Sequence, residues 1–362
     1  MKISIIGNSL TGLILAKALA NKNINFEIFY KAKTQNLKSN RTIAITNKNM
    51  AFLKADILSI PKKLVNPVNE IGILTENDPL KEILNFENKK VLFYLLRNHE
   101  LIKILKSSLN KIKFTKIKNK KFYEKMLSSS KNQLIINCER NNFYNNNFFN
   151  QKFTKDYKSI AYTSIIKHKS IQNNKARQIF TNYGPLAFLP LSKTMTSVVF
   201  SIRKRNNRLL DENIKNLIKN YNKYYDITNF SKFEIAELKF EAARYYFHNN
   251  ILLFGDALHK IHPLAGQGFN MTLRDLKILV NELVKSKNLG LPFNKNLLSS
   301  FQNKTRPYNL LYSNGINLIE SFFKFDTTFN NKFSSSIPAL INKNKKLKDF
   351  FINFADNGLR NI

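Results

Sequence analysis

The sequence of 362 residues has no tryptophan, one cysteine, and only 24 acidic residues against 59 lysines and arginines. The single cysteine, Cys138, excludes an internal disulfide framework and any zinc site built from cysteines, and it is typical of a reducing compartment. No uninterrupted apolar run reaches the roughly 18 to 20 residues that a membrane-spanning helix needs. These scarcities exclude disulfide-rich secreted proteins and integral helical membrane proteins.

The shortage of acids leaves a formal charge of +35, while 43% of the residues are hydrophobic and provide for a substantial core. Such a charge is typical of proteins that bind nucleic acid or an acidic lipid surface. Lys, Asn, Ile and Phe are used heavily in core-like and surface-like stretches alike, however, as in compositional drift. No helix-turn-helix, zinc-finger or ribonucleoprotein-type motif is present, and we predict no nucleic-acid partner.

The first thirty residues have the pattern of a parallel βαβ unit. Residues Lys2–Ile6 form a buried-strand pattern, Gly7–Gly12 a turn, Leu13–Lys22 a helix and Phe26–Tyr30 a second strand. Because Gly7 interrupts the apolar run and the periodicity changes there, we interpret this segment as folded structure and not as a signal peptide.

The turn of this unit is a candidate dinucleotide-binding loop. Its sequence matches G-x-G-x-x-G except that Ser9 replaces the second glycine between Gly7 and Gly12. Backbone N–H groups at the start of the following helix can bind a pyrophosphate. The acidic residue that would hold a ribose hydroxyl at the end of the second strand is replaced by Tyr30. A plain strand–turn–helix would show the same pattern, so both interpretations stay open.

A second motif, NILLFGDALHKIHPLAGQGFNMTLRD, occupies Asn250–Asp275. Its buried strand brings Gly255 and Asp256 to a carboxyl end, where open α/β sheets bind ligands, and Asp256 can accept hydrogen bonds from sugar-alcohol hydroxyls. The helix that starts near Gly268 and runs to about Lys285 directs its positive end at this loop. Three residues let the chain pass close to a flat ring: Pro263, Gly266 and Gly268.

The rest of the chain gives weaker signals. The asparagine-rich stretch over residues 140–153 favours a loop, Gln178–Arg203 is rich in strand patterns, and Ile251–Phe254 is a buried strand. From Leu297 onward the pattern is mostly helical, with interruptions predicted at two prolines, Pro307 and Pro338.

The run GDALHKIHPLAGQGFNMTLRD resembles the second FAD-binding motif of the ubiquinone-biosynthesis aromatic-ring hydroxylases. That family is a branch of the class A flavoprotein monooxygenases, which have the p-hydroxybenzoate hydroxylase fold. Other segments are similar to the family in the expected order: Arg41–Ala44 after the second strand, Gly184–Leu191 on the substrate-covering sheet, and Glu241–Arg244 before the second motif. The resemblance spans most of the chain and is thin between about Ile57 and Phe93.

The resemblance implies an α/β fold with a Rossmann-like FAD-binding domain, an inserted sheet-based substrate domain and a C-terminal helical segment. We expect the FAD-binding domain over residues 1–65, 95–155 and 240–290. The substrate domain would comprise residues 66–94 and 156–239, and the C-terminal helices residues 291–362.

The resemblance also implies an FAD-dependent monooxygenase that uses NAD(P)H and molecular oxygen to hydroxylate a polyprenylated phenol or quinol in ubiquinone biosynthesis. The chemistry would belong to the flavin, so no side chain is assigned as catalytic. The implied cofactor-binding residues are Gly7, Ser9, Gly12, Arg41, Gly255, Asp256, Pro263, Gly266, Gln267, Gly268 and Asn270. The implied substrate-side residues are Pro185, Leu186, Phe188 and Pro190.

Three departures from the family pattern leave an alternative open. Ser9 and Tyr30 weaken the first motif, and Asn137–Arg140 stands where the family has Ala-Asp-Gly, with Glu139 in place of the aspartate and Arg140 in place of the glycine. Because the family's middle motif is associated with FAD and NAD(P)H, flavin reduction is the step most affected. The alternative is a degenerate relative without hydroxylase activity that acts as an organising subunit of a quinone-synthesis complex.

Two further features concern metal binding and membrane contact. His259 and His262 have H-x-x-H spacing, but no third ligand is near, so we predict no metal and place both in the flavin loop. The segment Lys343–Phe354 is a candidate basic amphipathic helix, which either lies on an anionic membrane or packs on the protein. We expect a cytoplasmic protein, with peripheral contact to the inner face of the cytoplasmic membrane as the open alternative.

Overall fold

The computed structural model describes most of the chain: residues 2–31, 39–76, 80–87, 91–117, 120–128, 134–204, 211–260, 267–328 and 344.

The strands in these ranges form three sheets. They are β1 (Ile3–Ile6), β2 (Phe26–Tyr30), β3 (Thr42–Thr46), β4 (Asn66–Val68), β5 (Glu70–Thr75), β6 (Leu84–Glu87), β7 (Phe93–Arg97), β8 (Phe114–Lys116), β9 (Leu134–Asn137), β10 (Lys152–His168), β11 (Lys175–Thr181), β12 (Gly184–Ser192), β13 (Met195–Arg203), β14 (Ile227–Phe230), β15 (Glu234–Ala243), β16 (Phe247–His248), β17 (Ile251–Leu253) and β18 (His259–Lys260).

The helices lie between and after these strands. They are α1 (Leu10–Asn21), α2 (Asn47–Phe52), α3 (Asn98–Ser108), α4 (Lys120–Ser128), α5 (Phe143–Phe148), α6 (Asp211–Tyr221), α7 (Gln267–Asn288) and α8 (Lys295–Thr328). A π-helical turn over Leu53–Ile57 follows α2, and 3₁₀ turns cover Lys62–Leu64 and Gly255–Ala257.

The first sheet has the strand order β16-β17-β9-β1-β2-β8. Strands β17, β9, β1, β2 and β8 are parallel, and β16 is antiparallel to β17. Every residue of β1, β9 and β17 is buried, as expected for parallel strands with covered faces. Helices α1 and α7 contribute the apolar side chains that cover this sheet, among them Leu13, Ile14, Leu276 and Leu279.

The second sheet is large and mostly antiparallel, with the order β18-β15-β10-β13-β12-β11-β5-β6 and β14 paired to β10. One of its faces packs against α6 through Ile214 and Ile218. The third sheet, β3-β7-β4, lies against β12 through a small apolar cluster that includes Ala44, Leu95 and Leu189. This mixture confirms the predicted α/β class.

Three local predictions were wrong. Helix α1 begins at Leu10, inside the predicted turn, because Gly12 lets the first helical turn sit directly against Gly7. The predicted loop at 140–153 contains α5, which Asn142 caps by accepting a hydrogen bond from the backbone N–H of Asn145 at 3.1 Å. Helix α8 continues through Pro307. Pro338 and the amphipathic segment Lys343–Phe354, apart from Asn344, lie outside the described residues.

Within the described ranges, no helix is both long enough and apolar enough to cross a membrane.

Candidate functional site

The carboxyl ends of three parallel strands meet at one edge of the first sheet. The residues that follow β1, β9 and β17 are Gly7, Cys138 and Phe254, and backbone hydrogen bonds join these strand ends to one another. Cys138 N donates to Ile6 O at 2.9 Å, and Phe254 N donates to Asn137 O at 2.9 Å. The two motifs found in the sequence are therefore neighbours in the fold, at the edge where ligands bind in open α/β sheets.

Glycines permit this close approach. A Cβ atom on Gly12 would lie 2.1 Å from the carbonyl oxygen of Gly7, and one on Gly255 would lie 2.0 Å from Cγ2 of Thr11. Gly7 and Gly255 also have φ angles of 117° and 59°, which side-chain-bearing residues rarely adopt. The first turn of α1 and the Gly255–Ala257 turn thus touch each other only because these positions lack side chains.

The start of α1 fits a phosphate group. Ser9 is the N-cap residue in an extended conformation (φ −71°, ψ 176°), yet its side chain makes no capping hydrogen bond, and the first turn contains no acidic residue. Leading N–H groups that no side chain caps, at the positive end of a helix, favour an anion. The half-buried Tyr30 ends β2 at the position where a ribose-binding acid would lie. The structure therefore has no carboxylate at that position, as the sequence indicates.

Asp256 is exposed in the turn that follows β17, whereas its neighbours Gly255 and Ala257 are buried. The carboxylate is thus accessible to ligand hydroxyls at the shared strand edge. Nearby Cys138 is buried, and burial raises the pKa of its thiol far above the usual range, with the charges of Glu139 and Asp256 adding to the effect. Cys138 is thus a free cysteine that packs as a small buried residue.

Arg140 forms an ion pair with Glu241 of β15 at the end of β9. Burial raises the pKa of Glu241, but the hydrogen bond and charge of Arg140 lower it. The charges of Lys152 and Lys260 lower it further, so that the pKa lies below its ordinary value. Burial lowers the pKa of Lys260 on the adjacent strand β18, and the charge of Arg140 lowers it further. Arg140 is therefore neutralised by a partner from the large sheet and joins the two sheets near the cofactor edge.

Two predicted cofactor residues have other roles in the structure. Arg41 is exposed, and its carbonyl oxygen accepts a hydrogen bond from Asn98 N at 2.9 Å. Asn270 is fully buried, and its Oδ1 accepts from Thr46 N at 3.0 Å while its Nδ2 donates to Ala44 O at 2.9 Å. Both polar atoms of that side chain thus join α7 to β3, and the backbone oxygen of Asn270 accepts a further hydrogen bond from Asn49 Nδ2 at 3.2 Å.

The remaining loop positions are only partly described. Pro263, Gly266 and His262 lie outside the described residues. Gln267 begins α7, and a Cβ on Gly268 would have no atom of the described residues within 4 Å. The helix that the sequence predicts after the loop is therefore present, with space beside its first turn.

The four predicted substrate-side residues do not share one surface. Successive strand residues point to opposite faces, so Pro185 faces away from Leu186, Phe188 and Pro190. Leu186 and Phe188 are fully buried in the cluster beneath α6, while Leu189 and Leu191 of the same strand face the third sheet. The prediction that Leu186 and Phe188 line the substrate surface therefore needs correction, because the twofold alternation of β12 puts them in the core.

Sequence reasoning missed a buried polar cluster beside the second motif. His259 Nε2 lies 2.9 Å from Asp275 Oδ2, and Asn309 Nδ2 of α8 lies 3.0 Å from the same oxygen. Asn309 also donates to the hydroxyl of Tyr246 at 3.3 Å. The only sequence signals were an aspartate on the apolar stripe of α7 and an asparagine among the apolar residues of α8. Among the described side chains, no group of three or more His, Cys, Asp or Glu residues could hold a metal.

Comparison with known proteins finds a matching family model and relatives of similar sequence. Residues 126–288 match the family model described as an FAD binding domain. The chain is 28% identical over 172 residues to ubiquinone hydroxylase UbiL of Rhodospirillum rubrum, covering 44% of this chain and 38% of the relative. It is 31% identical over 152 residues to 3-demethoxyubiquinol 3-hydroxylase of Escherichia coli, covering 40% and 39%. The chain thus spans about two fifths of the length of these curated relatives.

Solved structures share the fold over nearly the whole chain. Pseudomonas putida p-nitrophenol 4-monooxygenase PnpA superimposes with a TM-score of 0.76 at 11% identity, covering 99% of this chain and 98% of that one. Klebsiella pneumoniae HpxO, complexed with FAD and uric acid, superimposes with a TM-score of 0.72 at 10% identity, covering 99% and 96%.

The fold is that of the class A FAD monooxygenases, and residues 126–288 match an FAD binding domain. Over about two fifths of its length the chain is similar in sequence to ubiquinone-biosynthesis hydroxylases, which confirms the resemblance drawn from its motifs.

Proposed function

We propose that the protein is an FAD-dependent monooxygenase that hydroxylates a polyprenylated aromatic ring in ubiquinone biosynthesis, with NAD(P)H as reductant and molecular oxygen as co-substrate. The observation that carries the proposal is the meeting of the Gly7–Gly12 and Gly255–Ala257 turns at one sheet edge. The accompanying domain division is the one proposed from the sequence: residues 1–65, 95–155 and 240–290 for FAD, 66–94 and 156–239 for substrate, and 291–362 as C-terminal helices.

The residues of this chain would bind and orient the cofactor. The N–H groups that follow Ser9 would bind the pyrophosphate, and the exposed Asp256 carboxylate would accept hydrogen bonds from hydroxyls. The start of α7 would favour negative charge on the ring system. When bound, FAD supplies the hydride acceptance and the oxygen chemistry, which no amino-acid side chain provides.

The substrate would lie against the β12 face opposite to α6. That face carries Pro185, Ala187, Leu189 and Leu191, and it is apolar, as a prenylated ring requires. Because Leu189 and Leu191 pack against the third sheet, this face is continuous with an apolar cluster. Contacts of this kind would orient the ring and exclude water.

The first experiment is a visible spectrum of the purified protein, followed by reconstitution with FAD. Asp256→Ala should weaken FAD binding by about tenfold or more, because a hydrogen bond to a charged group contributes about 1.5–3 kcal/mol. Asp211→Ala, at an exposed position of α6, is the matched control and should bind as the wild type does. A wild-type protein that stays colourless after reconstitution would refute the proposal.

One set of observations favours a second candidate, a relative that binds FAD but lacks hydroxylase activity and acts as an organising subunit. Arg140 replaces a glycine and is paired with Glu241, and Tyr30 replaces the ribose-binding acid. Anaerobic mixing of the FAD-loaded protein with NADH or NADPH separates the two candidates. Bleaching of the flavin supports the hydroxylase, and a flavin that stays oxidised with both reductants supports the organising subunit.

Peripheral membrane contact through Lys343–Phe354 is part of the same proposal, since a polyprenyl substrate resides in a bilayer. It is supported by the lysines at the start of that segment and the leucine and phenylalanines at helical spacing after them. Flotation with anionic liposomes should fall when salt is added and when those lysines are changed to glutamine. Flotation that is unaffected by both changes would contradict membrane contact through this segment.

A further inference from the structure

A buried carboxylate holds together three elements near the cofactor edge. The side chains of His259 and Asp275 are 2% and 0% exposed, and their contact joins β18 to α7. Asn309 Nδ2 approaches both carboxylate oxygens, at 3.2 Å from Oδ1 and 3.0 Å from Oδ2, and so adds α8. Buried carboxylates need hydrogen-bond donors, so each of these contacts stabilises the arrangement of the others.

The turn that carries Asp256 is closely coupled to this carboxylate. His259 lies three residues after Asp256, and the intervening Leu258 N donates to Gly255 O at 2.9 Å. His259 also pairs with Ala242 across the β15–β18 ladder. Because few dihedral angles are free between Asp256 and His259, the position of the His259 ring restricts the position of the turn.

Asp275 is the main polar anchor of that ring. Nδ1 of His259 is buried and has no hydrogen-bond partner among the described residues. Without Asp275 both ring nitrogens would be buried and unpaired, which proteins rarely tolerate. The ring position therefore depends on the carboxylate.

Helix α8 reaches the same carboxylate although it carries none of the proposed cofactor residues. Asn309 is 7% exposed, and its amide also contacts the hydroxyl of Tyr246. Gln302, further back on α8, accepts a hydrogen bond from Tyr246 N at 2.9 Å. Polar contacts thus fix α8 against the segment between β15 and β17.

We propose that Asp275, His259 and Asn309 form a positioning unit that fixes the Asp256 turn and makes cofactor affinity depend on the C-terminal helix α8. None of the three needs to touch the cofactor. The proposal rests on the proposed function in one respect, namely that Asp256 contacts FAD.

The test compares Asn309→Leu with Asn303→Leu, an exposed position on the same helix. Asn309→Leu should weaken FAD binding by about tenfold, measured by quenching of flavin fluorescence, whereas Asn303→Leu should bind as the wild type does. Amide hydrogen exchange at residues 255–258 should be faster in Asn309→Leu than in the control. A purely structural role would lower the thermal midpoint and leave both the affinity of the folded protein and this exchange unchanged.

A double-mutant cycle with Asp275→Asn tests whether the residues act as one unit. If they do, the combined variant should lose no more affinity than Asp275→Asn alone. The proposal would be overturned if the loss of FAD affinity in the combined variant equalled the product of the two single losses. It would also be overturned by an Asn309→Leu variant with wild-type affinity and hydrogen exchange. Should Asn309→Leu not fold, Tyr246→Phe replaces it, with an expected loss of about twofold to threefold and the same exchange readout.

The outcome remains separate from that of the proposed function. If the wild type binds no FAD, the proposed function fails, and hydrogen exchange of the turn still decides the positioning role. If the wild type binds FAD and the exchange of the turn is the same in both leucine variants, the positioning role alone fails.

Discussion

Replacing Gly12 by alanine tests the contact on which the candidate site depends. The new Cβ would lie 2.1 Å from the Gly7 carbonyl oxygen, where ordinary contacts begin at 3.4 Å, so α1 or the preceding turn must move by more than 1 Å. In a free helix this substitution would stabilise by about 1 kcal/mol. Overpacking against backbone typically costs about 1–3 kcal/mol. We expect a net loss of up to about 2 kcal/mol in the free energy of unfolding.

The same movement displaces the N–H groups that follow Ser9, so Gly12→Ala should also lose FAD affinity. The assay is denaturant unfolding of the FAD-free protein, followed by an FAD titration of the folded variant. Gly268→Ala is the control for unfolding alone, because a Cβ there meets none of the described atoms within 4 Å and alanine suits the first turn of α7. A Gly12→Ala variant with wild-type or higher stability and unchanged FAD affinity would refute the reasoning.

Three further predictions follow from the same edge of the sheet. Because burial raises the pKa of the Cys138 thiol, the native protein should react with a disulfide reagent near pH 8 only as fast as it unfolds, and rapid native labelling would contradict this. Because the pKa of Glu241 is lowered in the folded protein, its carboxylate stabilises the fold at pH values above the ordinary glutamate pKa of about 4.3. This stabilisation is lost as the pH falls through the pKa of the folded state. The difference in thermal midpoint between wild type and Glu241→Gln should therefore shrink on acidification, with about 1 kcal/mol or less involved, and a constant difference would argue against the Arg140 pair. Asn142→Ala removes the cap of α5 and should cost about 1 kcal/mol, whereas the exposed Asn146→Ala should be neutral in the same melting assay.

Local patterns with strong physical constraints were predictable. A buried strand followed by glycine and then a helix can be recognised at Gly7 and again at Gly255, and parallel strands place both turns at the same edge. The prediction therefore brought together residues that are far apart in the chain. Whether these residues contact FAD stays a prediction that the titrations above will decide.

What could not be predicted depended on tertiary context. Asparagines at 140–153 suggested a loop, but Tyr144 is fully buried and Asn142 caps a short helix there. Pro307 suggested a helix end, yet packing and hydrogen bonds on both sides of it, such as Asn309 to Asp275, hold α8 together. Which face of β12 meets α6 depends on how the sheet is covered, and no local pattern in Gly184–Ser192 gives that information.

The direct contact of Gly255 with Thr11 has a consequence for how the protein is made. Synthesis proceeds from the N-terminus, and β17 pairs with β9 only after residue 253 has left the ribosome. The early βαβ unit must therefore keep its glycine turn without the partner that later packs on it. A nascent or truncated chain that ends before β17 should fold much of its large sheet and still offer no complete pocket to a nucleotide, so ligand binding can stabilise only a chain in which β17 has paired with β9.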